Sequence, residues 1–581
     1  FLERSKLFVL KCLENEELMV EGSNISICKF KILEPGSILK IGEQSIIRYS
    51  DIKQKYLQFR SLTGIKLNAE DISYKQRKRN KGIKMFSINE TSGVLVGILG
   101  KEGVGKSTLL ELLAGRHFDH TGRRQINEYN LKTNRYLLKS VIGYIPEYDL
   151  LLNELTVYDN LMLNARLFFS KSPLKDLDKK INQLLENLDL LEYKNTIVGT
   201  IYEKNLQPGQ RRLLNIALEL LRAPKILLVD NPFYGLNNVE SSRIVKLLHD
   251  YTFEGNLVIT SISQTNPQAF RMFDRLWIVD EKGYPVFTDD AHKASVYFNS
   301  ILDITGLEND SKETTPESIL ELVDFRLTDY SGRWGKRKIS PSEWYEHYKT
   351  YQEQKRKPVQ TEKTPLPTGI IKLPNLETQF RIFNIRNFKI KFSNRWKIIY
   401  TLLAGPLIAF VLGFLLRYSP EGAYLLIDNP NIPFYFFSCA VISLSLGLII
   451  SADEILKERN LLNKEEYLEF SKFSYVNSKI LYLFLIASIQ TLLLTITGNF
   501  ILGIRGMLLQ HWLIHFSTCC FGVILGLNLS MIQKSLYSIY EKSIPVIIAL
   551  QVLLGSGIIP YENLNKSESP YVPILGELMI V

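Results

Sequence analysis

The pattern of hydrophobic and polar positions divides the chain into two parts that predict different architectures. Up to about Lys397 the sequence is polar and periodic, whereas from Ile398 onward long apolar runs alternate with short charged connectors. Within the first part, apolar runs such as GVLVGILG, PKILLVDN and NLVITSIS are separated by segments of helical periodicity. Strands of a parallel sheet that are buried on both faces are apolar throughout, so this alternation predicts an α/β domain over residues 63–300.

The second part, residues 381–581, contains five apolar runs of 17 to 23 residues each. At about 1.5 Å per residue, a helix of that length crosses or nearly crosses a bilayer core of about 30 Å. A soluble domain rarely holds so many evenly apolar runs in succession. We therefore predict an all-α transmembrane domain with these spans: Ile398–Leu416, Ile432–Ile450, Ile480–Leu502, His511–Ile532 and Ser543–Ile559.

Basic residues collect on one side of the predicted spans. The segment before the first span, RIFNIRNFKIKFSNRWK, has hardly an acid to balance it, and the connector between the second and third spans holds five Lys or Arg residues. The alternate connectors are nearly free of them, so the positive-inside rule predicts an inner-membrane or plasma-membrane protein whose first part is cytoplasmic. The net charge of +10 would also suit nucleic acid. Because much of the basic excess flanks apolar runs, we predict no nucleic-acid partner.

Two other segments differ from these parts in composition. Residues 1–62 hold short apolar and β-branched runs separated by turns such as Pro35-Gly36, which predicts a small β-rich module, either a structural appendage or a binding module. Residues 301–380 are polar and contain prolines, which is typical of a linker or connector. The five cysteines show neither CxxC spacing nor an accompanying histidine pattern, which argues against a cysteine-based metal site.

A glycine-rich turn follows the apolar run that ends at residue 99. Residues 100–108 read GKEGVGKST, which fits the phosphate-binding pattern GxxxxGK[ST] between a strand and a helix. Lys106 would reach the β and γ oxygens of a nucleotide, and Ser107 would ligate Mg²⁺ together with Asp230 at the end of KILLVD. The sequence therefore predicts ATP and Mg²⁺ as ligands of these residues: Gly100, Gly103, Val104, Gly105, Lys106, Ser107, Thr108 and Asp230.

The segments between this turn and Asp230 carry a family resemblance. NLQPGQRRLLNIALELLRAPKILLVDNP, preceded by GYIPEYDLL and LTVYDNL, resembles the signature helix and the Q-loop of the ATP-binding cassette family. The resemblance implies that Tyr74 stacks on adenine and that Glu147 lies beside the nucleotide and its Mg²⁺. It also implies that the signature faces the nucleotide of a partner chain. The signature residues are Leu206, Gln207, Pro208, Gly209 and Gln210.

The order of the two parts resembles the G subfamily of half-transporters, as does SADEILKERNLLNKEEY after the second span. Those transporters have six spans in each half, so we expect a sixth span beyond Val581. Cassettes of this family pair head to tail, which implies a second half-transporter as partner. A heterodimer is favoured and a homodimer is the alternative. Membrane lipid and further envelope proteins are expected partners as well.

Five features depart from the family's pattern at the composite ATP site. Asn231 stands where the family has the Glu that acts on the attacking water, and Ser263 replaces the switch His. Glu147 replaces the Q-loop Gln, Asn237 replaces the D-loop Asp, and the signature is altered at its second and third positions. Loss of a group such as the Glu typically costs about 10²–10⁴ in rate. No catalytic residue of the family's set is therefore intact.

These observations predict a half-transporter subunit that binds ATP but hydrolyses it weakly or not at all, within a dimer or a larger membrane complex. Two alternatives stay open at this point. One is a non-transporting, ATP-liganded scaffold of an envelope membrane assembly, and the other is an active exporter ATPase.

Overall fold

The computed structural model divides the chain into two compact units. The first comprises Phe1–Asp149 and Ser172–Lys372, and the second comprises Leu150–Lys171 and Leu373–Val581. The residues that the structure describes are 1–2, 6–11, 18–20, 23–24, 30–41, 45–60, 64–75, 82–117, 120–135, 139–200, 202–263, 267–302, 315–328, 334–355, 373–418 and 424–554.

All strands of the described residues belong to the first unit. In chain order they are β1 (Phe8–Lys11), β2 (Leu18–Val20), β3 (Ser23–Asn24), β4 (Phe30–Leu33), β5 (Ile38–Ile41), β6 (Ser45–Arg48), β7 (Lys66–Lys75), β8 (Gly82–Thr91), β9 (Leu95–Leu99), β10 (Thr121–Ile126), β11 (Tyr129–Asn130), β12 (Ile142–Ile145), β13 (Ile226–Val229), β14 (Leu257–Ile262), β15 (Arg275–Asp280), β16 (Tyr284–Asp290), β17 (Arg326–Thr328) and β18 (Trp334–Arg337).

The helices are distributed over both units. In chain order they are α1 (Tyr49–Phe59), α2 (Lys106–Ala114), α3 (Val157–Phe168), α4 (Leu174–Asn187), α5 (Pro208–Leu220), α6 (Asn238–Thr252), α7 (Pro267–Phe270), α8 (Lys293–Leu302), α9 (Pro316–Val323), α10 (Pro341–Lys355), α11 (Leu376–Ser393), α12 (Arg395–Leu416), α13 (Ile432–Ser451), α14 (Glu454–Lys457), α15 (Arg459–Tyr467), α16 (Lys472–Leu502), α17 (Leu508–Ile532) and α18 (Ile544–Leu554). Of these, α3 and α11–α18 lie in the second unit.

The core of the first unit is a mostly parallel sheet. In the described part of the chain its order is β12-β13-β14-β9-β15-β16, and only β15 and β16 pair antiparallel. Every residue of β9, β12, β13 and β14 is buried, because helices and a second, antiparallel sheet (β11-β10-β7-β8) cover this core. The continuous apolar runs are thus explained by burial on both faces. This arrangement confirms the predicted α/β architecture.

The N-terminal β-rich segment, which was predicted from short apolar runs, ends in helix α1 and packs against α6. Tyr49 and Phe8 form an aromatic cluster with Phe253 at the end of α6. A buried ion pair joins α1 to the main sheet: the Lys53 Nζ lies 2.9 Å from Asp274 Oδ2, with side chains only 1% and 8% exposed. The same Asp274 oxygen accepts the N–H of Leu95, at the start of β9, at 2.8 Å.

The C-terminal segment of the first unit contains ordered helices within the predicted connector, residues 301–380. Helix α10 lies along β16, and its Trp344 is fully buried against Phe298 at a ring-centroid distance of 5.1 Å. The Trp344 indole donates to the Val323 carbonyl at 3.2 Å, which joins α10 to α9. Residues 303–314 and 356–372 of the predicted connector lie outside the described residues.

The second unit is helical, and four of its helical segments are long and apolar enough to cross a membrane. Among the described residues they are Arg395–Leu416, Ile432–Lys457, Lys472–Leu502 and Leu508–Ile532. Each overlaps one of the first four predicted spans. For the fifth, the structure describes the eleven-residue helix α18, while residues 555–559 lie outside the described part.

Small residues allow close packing of α13 against α17. A Cβ on Gly447 would collide with the carbonyl of Cys519, and a Cβ on Gly522 would collide with the carbonyl of Leu444. Since lipid supplies no hydrophobic driving force between spans, such backbone proximity is a main source of association energy. Helix α3 belongs to this unit as well, and its Asp159 pairs with Lys389 of α11 at 2.5 Å.

A cluster of buried charges lies where α11, α14, α15 and α16 meet. Lys479 of α16 is 1% exposed and contacts Glu458 at 2.7 Å and Glu454 at 3.2 Å. Arg386 of α11 is 4% exposed and contacts Glu465 at 2.5 Å and Glu458 at 3.5 Å. We call these five residues the α11–α16 charge cluster.

Candidate functional site

The glycine-rich turn lies between β9 and α2, and two glycines give it its shape. Gly103 and Gly105 have φ angles of +78° and +117°, in a region that side chains disfavour. Gly105 immediately precedes α2, so the first N–H groups of that helix point toward the turn. Val104 is buried, and the neighbouring residues 101–103 are exposed. Free N–H groups at a helix start beside an exposed glycine turn are suited to an anion.

The Lys106 ammonium is folded back onto this turn. Its Nζ donates to the Gly100 carbonyl and, at 3.2 Å, to the Lys101 carbonyl. Burial lowers the pKa of Lys106, and the carboxylates of Asp230 and nearby acids oppose that shift. A phosphate oxygen is a stronger acceptor for an ammonium than a carbonyl. The position of Lys106 therefore fits the predicted contact with a polyphosphate.

Asp230 follows β13 and is brought next to the first turn of α2. Its Oδ1 accepts the Ser261 hydroxyl at 2.8 Å. Burial raises the pKa of Asp230, while hydrogen bonds from Ser261 and Ser107 oppose the rise. Ser107 and Asp230 thus place a hydroxyl and a carboxylate together, and Mg²⁺ prefers such oxygen ligands. The residues present fit Mg²⁺ bound together with nucleotide phosphates.

Three of the positions that the sequence predicts to depart from the family's pattern are joined by hydrogen bonds. The Asn231 amide donates to Glu147 Oε1 at 2.9 Å, and its carbonyl oxygen accepts the Ser263 hydroxyl at 2.6 Å. The Asn231 backbone N–H donates to Ser261 Oγ at 2.6 Å, and its φ is +42°, a conformation that Asn tolerates better than most residues. Both polar ends of the Asn231 side chain are therefore engaged within this Glu147–Asn231–Ser263 chain.

Arg212 fixes the backbone of this region from inside the domain. It is 7% exposed, and its guanidinium donates to the carbonyls of Pro146 at 2.9 Å, Glu147 at 3.1 Å and Asp230 at 2.5 Å. One side chain thereby links the segment after β12, the predicted Q-loop, to the end of β13. Arg212 was not predicted as a site residue. The only local signal in the sequence is a second arginine at the start of the largely apolar segment RRLLNIALEL.

Tyr74 lies near the end of β7, on the antiparallel sheet. Its ring stacks on His117 with the centroids 5.0 Å apart and an interplanar angle of 25°. His117 is in turn 2.9 Å from Glu111 of α2. The predicted adenine-stacking role of Tyr74 stays a prediction, to which the structure adds His117 as a second ring at the same place.

The predicted signature residues lie at the start of α5, far along the chain from the glycine-rich turn. Leu206 is buried, Gln207 and Pro208 are exposed, and Pro208 is the first residue of the helix. Gly209 donates its N–H to Glu240 Oε1 at 3.1 Å, a contact with α6 that the sequence did not indicate. Gln210 Oε1 accepts the N–H of Gln207 at 2.9 Å.

Comparisons with known proteins agree with this geometry. Residues 83–234 match the family model "ABC transporter", and residues 378–569 match "ABC-2 type transporter". Fold and site together define an ATP-binding cassette transporter protein in which the nucleotide domain precedes the membrane domain. More narrowly, the curated relatives that the chain matches include G-family members of this class, in agreement with the resemblance in its domain order.

Three relatives illustrate the similarity. ABC transporter G family member 26 of Arabidopsis thaliana is 30% identical over 241 residues, covering 41% of this chain and 34% of that protein. ABC transporter G family member 1 of Dictyostelium discoideum is 30% identical over 261 residues, covering 44% and 32%. ATP-binding cassette sub-family G member 8 of Rattus norvegicus is 29% identical over 250 residues, covering 40% and 36%. The matched region thus spans about a third of the length of these relatives.

The charge of Glu147 leads to a prediction about Mg²⁺. Without the cation, a carboxylate beside the phosphates repels them, so replacing Mg²⁺ with EDTA should weaken ATP binding about tenfold more in the native chain than in Glu147→Gln. Isothermal titration of the purified chain measures both affinities. Glu203→Gln is the matched control, because Glu203 accepts the Thr200 N–H at 2.8 Å elsewhere in the same unit. Equal Mg²⁺ dependence in the native chain and Glu147→Gln would contradict the prediction.

Proposed function

We propose that this chain is a half-transporter subunit that binds MgATP and uses it mainly as a clamp, with little or no turnover of its own. Nucleotide would be held by Tyr74, the glycine-rich turn with Lys106, and the Ser107–Asp230 pair with Mg²⁺. The subunit would pair with a second half-transporter, preferably a more active one, in a membrane where the nucleotide domain is cytoplasmic. A lipid or another amphipathic solute would cross at the interface of the two halves.

The observation that carries this proposal is the Glu147–Asn231–Ser263 chain. A general base must accept a proton from water, and the Asn231 amide cannot do so at neutral pH. Its carbonyl oxygen already accepts from Ser263 and its amide already donates to Glu147, at 2.6 and 2.9 Å. Water activation at the family's position is therefore weak, whereas the ligands for phosphate and Mg²⁺ are retained.

The pairing of cassettes extends the argument to both sites of a dimer. In a homodimer, both sites would lack the Glu and the His and would face an altered signature. With a standard partner, the site on this chain would still lack both groups, and the partner's site would face the altered signature. A heterodimer is favoured because one site then keeps its own catalytic residues.

The experiment is ATP turnover by the purified chain in lipid nanodiscs, with Lys106→Ala as the background control. We expect the native chain to bind MgATP and to turn over below about 10⁻² s⁻¹, and we expect Asn231→Glu to raise that rate. Turnover of about 1 s⁻¹ or more that disappears in Lys106→Ala would contradict the proposal and favour an active exporter ATPase.

The second candidate, a non-transporting scaffold, is separated by co-purification from membranes. Recovery of a standard cassette together with the tagged chain supports the half-transporter. Recovery of other envelope proteins without any cassette supports an ATP-liganded scaffold.

A further inference from the structure

The start of α5 has its backbone donors engaged by side chains of the same chain. The Gln207 N–H donates to Gln210 Oε1 at 2.9 Å, Pro208 has no N–H, and the Gly209 N–H donates to Glu240 Oε1 at 3.1 Å. A helix of thirteen residues carries a partial positive charge at this end, where an anion is favoured. The anion found there is the carboxylate of Glu240.

Glu240 does more than cap its own helix. Its backbone N–H donates to Asn237 Oδ1 at 2.8 Å, and its Oε2 accepts the Asn237 N–H at 3.2 Å, which completes the reciprocal cap at the start of α6. Capping uses only Oε2, so Oε1 is left for Gly209. One carboxylate therefore joins the first turns of two helices, and Gly209 is buried beneath it.

The Glu240 carboxylate occupies the space that a larger residue at position 209 would need. A Cβ built on Gly209 would collide with the Glu240 carboxylate, so a larger residue there would require the Glu240 side chain to move away from this N–H group. For a second anion, this N–H group is already engaged by Glu240, whose negative charge lies only a few ångströms away. The repulsion between the two like charges would lower the affinity for that anion several-fold even at the protein surface.

We propose that Glu240 is an internal anion that closes the signature, so that it does not receive the γ-phosphate of a nucleotide bound to a second copy of this chain. The inference rests on the proposed function, in that it assumes a nucleotide on the facing cassette. It adds the residue that decides whether two copies share that nucleotide. The nucleotide sites of two copies are then independent of each other. The facing chain makes no contact with the γ-phosphate and so adds nothing to the preference for ATP over ADP.

The test is a cycle of variants in nanodiscs that hold two copies of the full chain. The variants are Glu240→Ala, the double change Gln207→Ser with Pro208→Gly, which restores signature donors, and the combination of all three. The readout is the dissociation constant for MgADP divided by that for MgATP, because a signature contact acts on the γ-phosphate alone. Glu203→Ala is the control, since Glu203 also accepts a backbone N–H, that of Thr200 at 2.8 Å.

We expect the donor-restoring double change alone to leave the ADP-to-ATP ratio within about twofold of native. Glu240→Ala should raise it about threefold, and the triple variant about tenfold or more, equivalent to one regained charge-assisted hydrogen bond. Melting temperatures check that each variant is folded.

Two results would overturn the inference. One is a donor-restored variant that gains as much with Glu240 in place as without it. The other is a ratio that stays at the native value in the triple variant. A native chain that fails to bind MgATP at all would instead overturn the proposed function, so the two failures are distinguishable.

Discussion

Lys106→Ala is expected to weaken MgATP binding by at least about a hundredfold. Lys106 Nζ now bonds to the carbonyls of Gly100 and Lys101, and bound phosphate would replace these acceptors with anionic oxygens. Hydrogen bonds to charged groups contribute about 1.5–3 kcal/mol each, and two of them correspond to a factor of about 10² or more. Titration calorimetry or competition with a fluorescent nucleotide measures the loss directly.

The neighbouring lysine of the same turn is the control. The Lys101 ammonium pairs with Asp324 on the protein itself, so Lys101→Ala should change MgATP affinity by less than about threefold. If both alanine variants lose affinity equally, general electrostatic attraction explains binding and the specific role of Lys106 is wrong. Lys106→Arg should fall between them, because the charge is kept while the planar guanidinium does not fit the same point contact.

Lys479→Met is expected to destabilise the second unit by about 3–5 kcal/mol, because it leaves one buried negative charge of the α11–α16 charge cluster uncompensated. Glu458 would keep only Arg386 as an ion-pair partner, and Glu454 would keep only Lys391. Lys479 contacts Glu458 at 2.7 Å and Glu454 at 3.2 Å, and its side chain is 1% exposed. Denaturant unfolding in mixed micelles, followed by tryptophan fluorescence, reports the change in the free energy of unfolding.

Lys472→Met provides the contrast on the same helix. Lys472 pairs with Glu466 at 2.7 Å, but the two side chains are 69% and 58% exposed, so the loss should stay below about 1 kcal/mol. Adding Glu458→Gln to Lys479→Met removes the excess negative charge that the loss of Lys479 leaves in the cluster, and it should restore part of the stability. Equal losses in the free energy of unfolding for Lys479→Met and Lys472→Met would show that burial does not strengthen the ion pairs of the cluster.

Much of the fold could be predicted because its strands and spans are unusually regular in pattern. The strand residues of β9, β13 and β14 are mostly apolar and are buried throughout, and the first four spans can be identified by their length and apolar composition. Helices α9 and α10 were missed because their segment is polar on average. The segment is held in place by a few large buried residues such as Trp344 and Tyr348. These residues are too few to change the polar average of its composition.

The site was predicted unevenly for a similar reason. A contiguous motif such as the glycine-rich turn can be recognised from the sequence alone. The contacts of Arg212 with Glu147 and of Gly209 with Glu240 join segments 65 and 31 residues apart, and no local pattern signals them. Glu147, Asn231 and Ser263 could each be singled out from the sequence, but the hydrogen bonds that join them into one chain depend on the folded geometry.

The ion pair between Lys53 and Asp274 has a consequence for how this sequence can change over time. Asp274 Oδ2 serves both the ammonium of α1 and the N–H of Leu95, so a neutral residue at either position strands a buried charge. Substitutions at these two positions, 221 residues apart, should therefore be accepted together or not at all. Among close relatives we expect the N-terminal segment to be inherited with its own nucleotide domain, and not exchanged freely between proteins as an independent module.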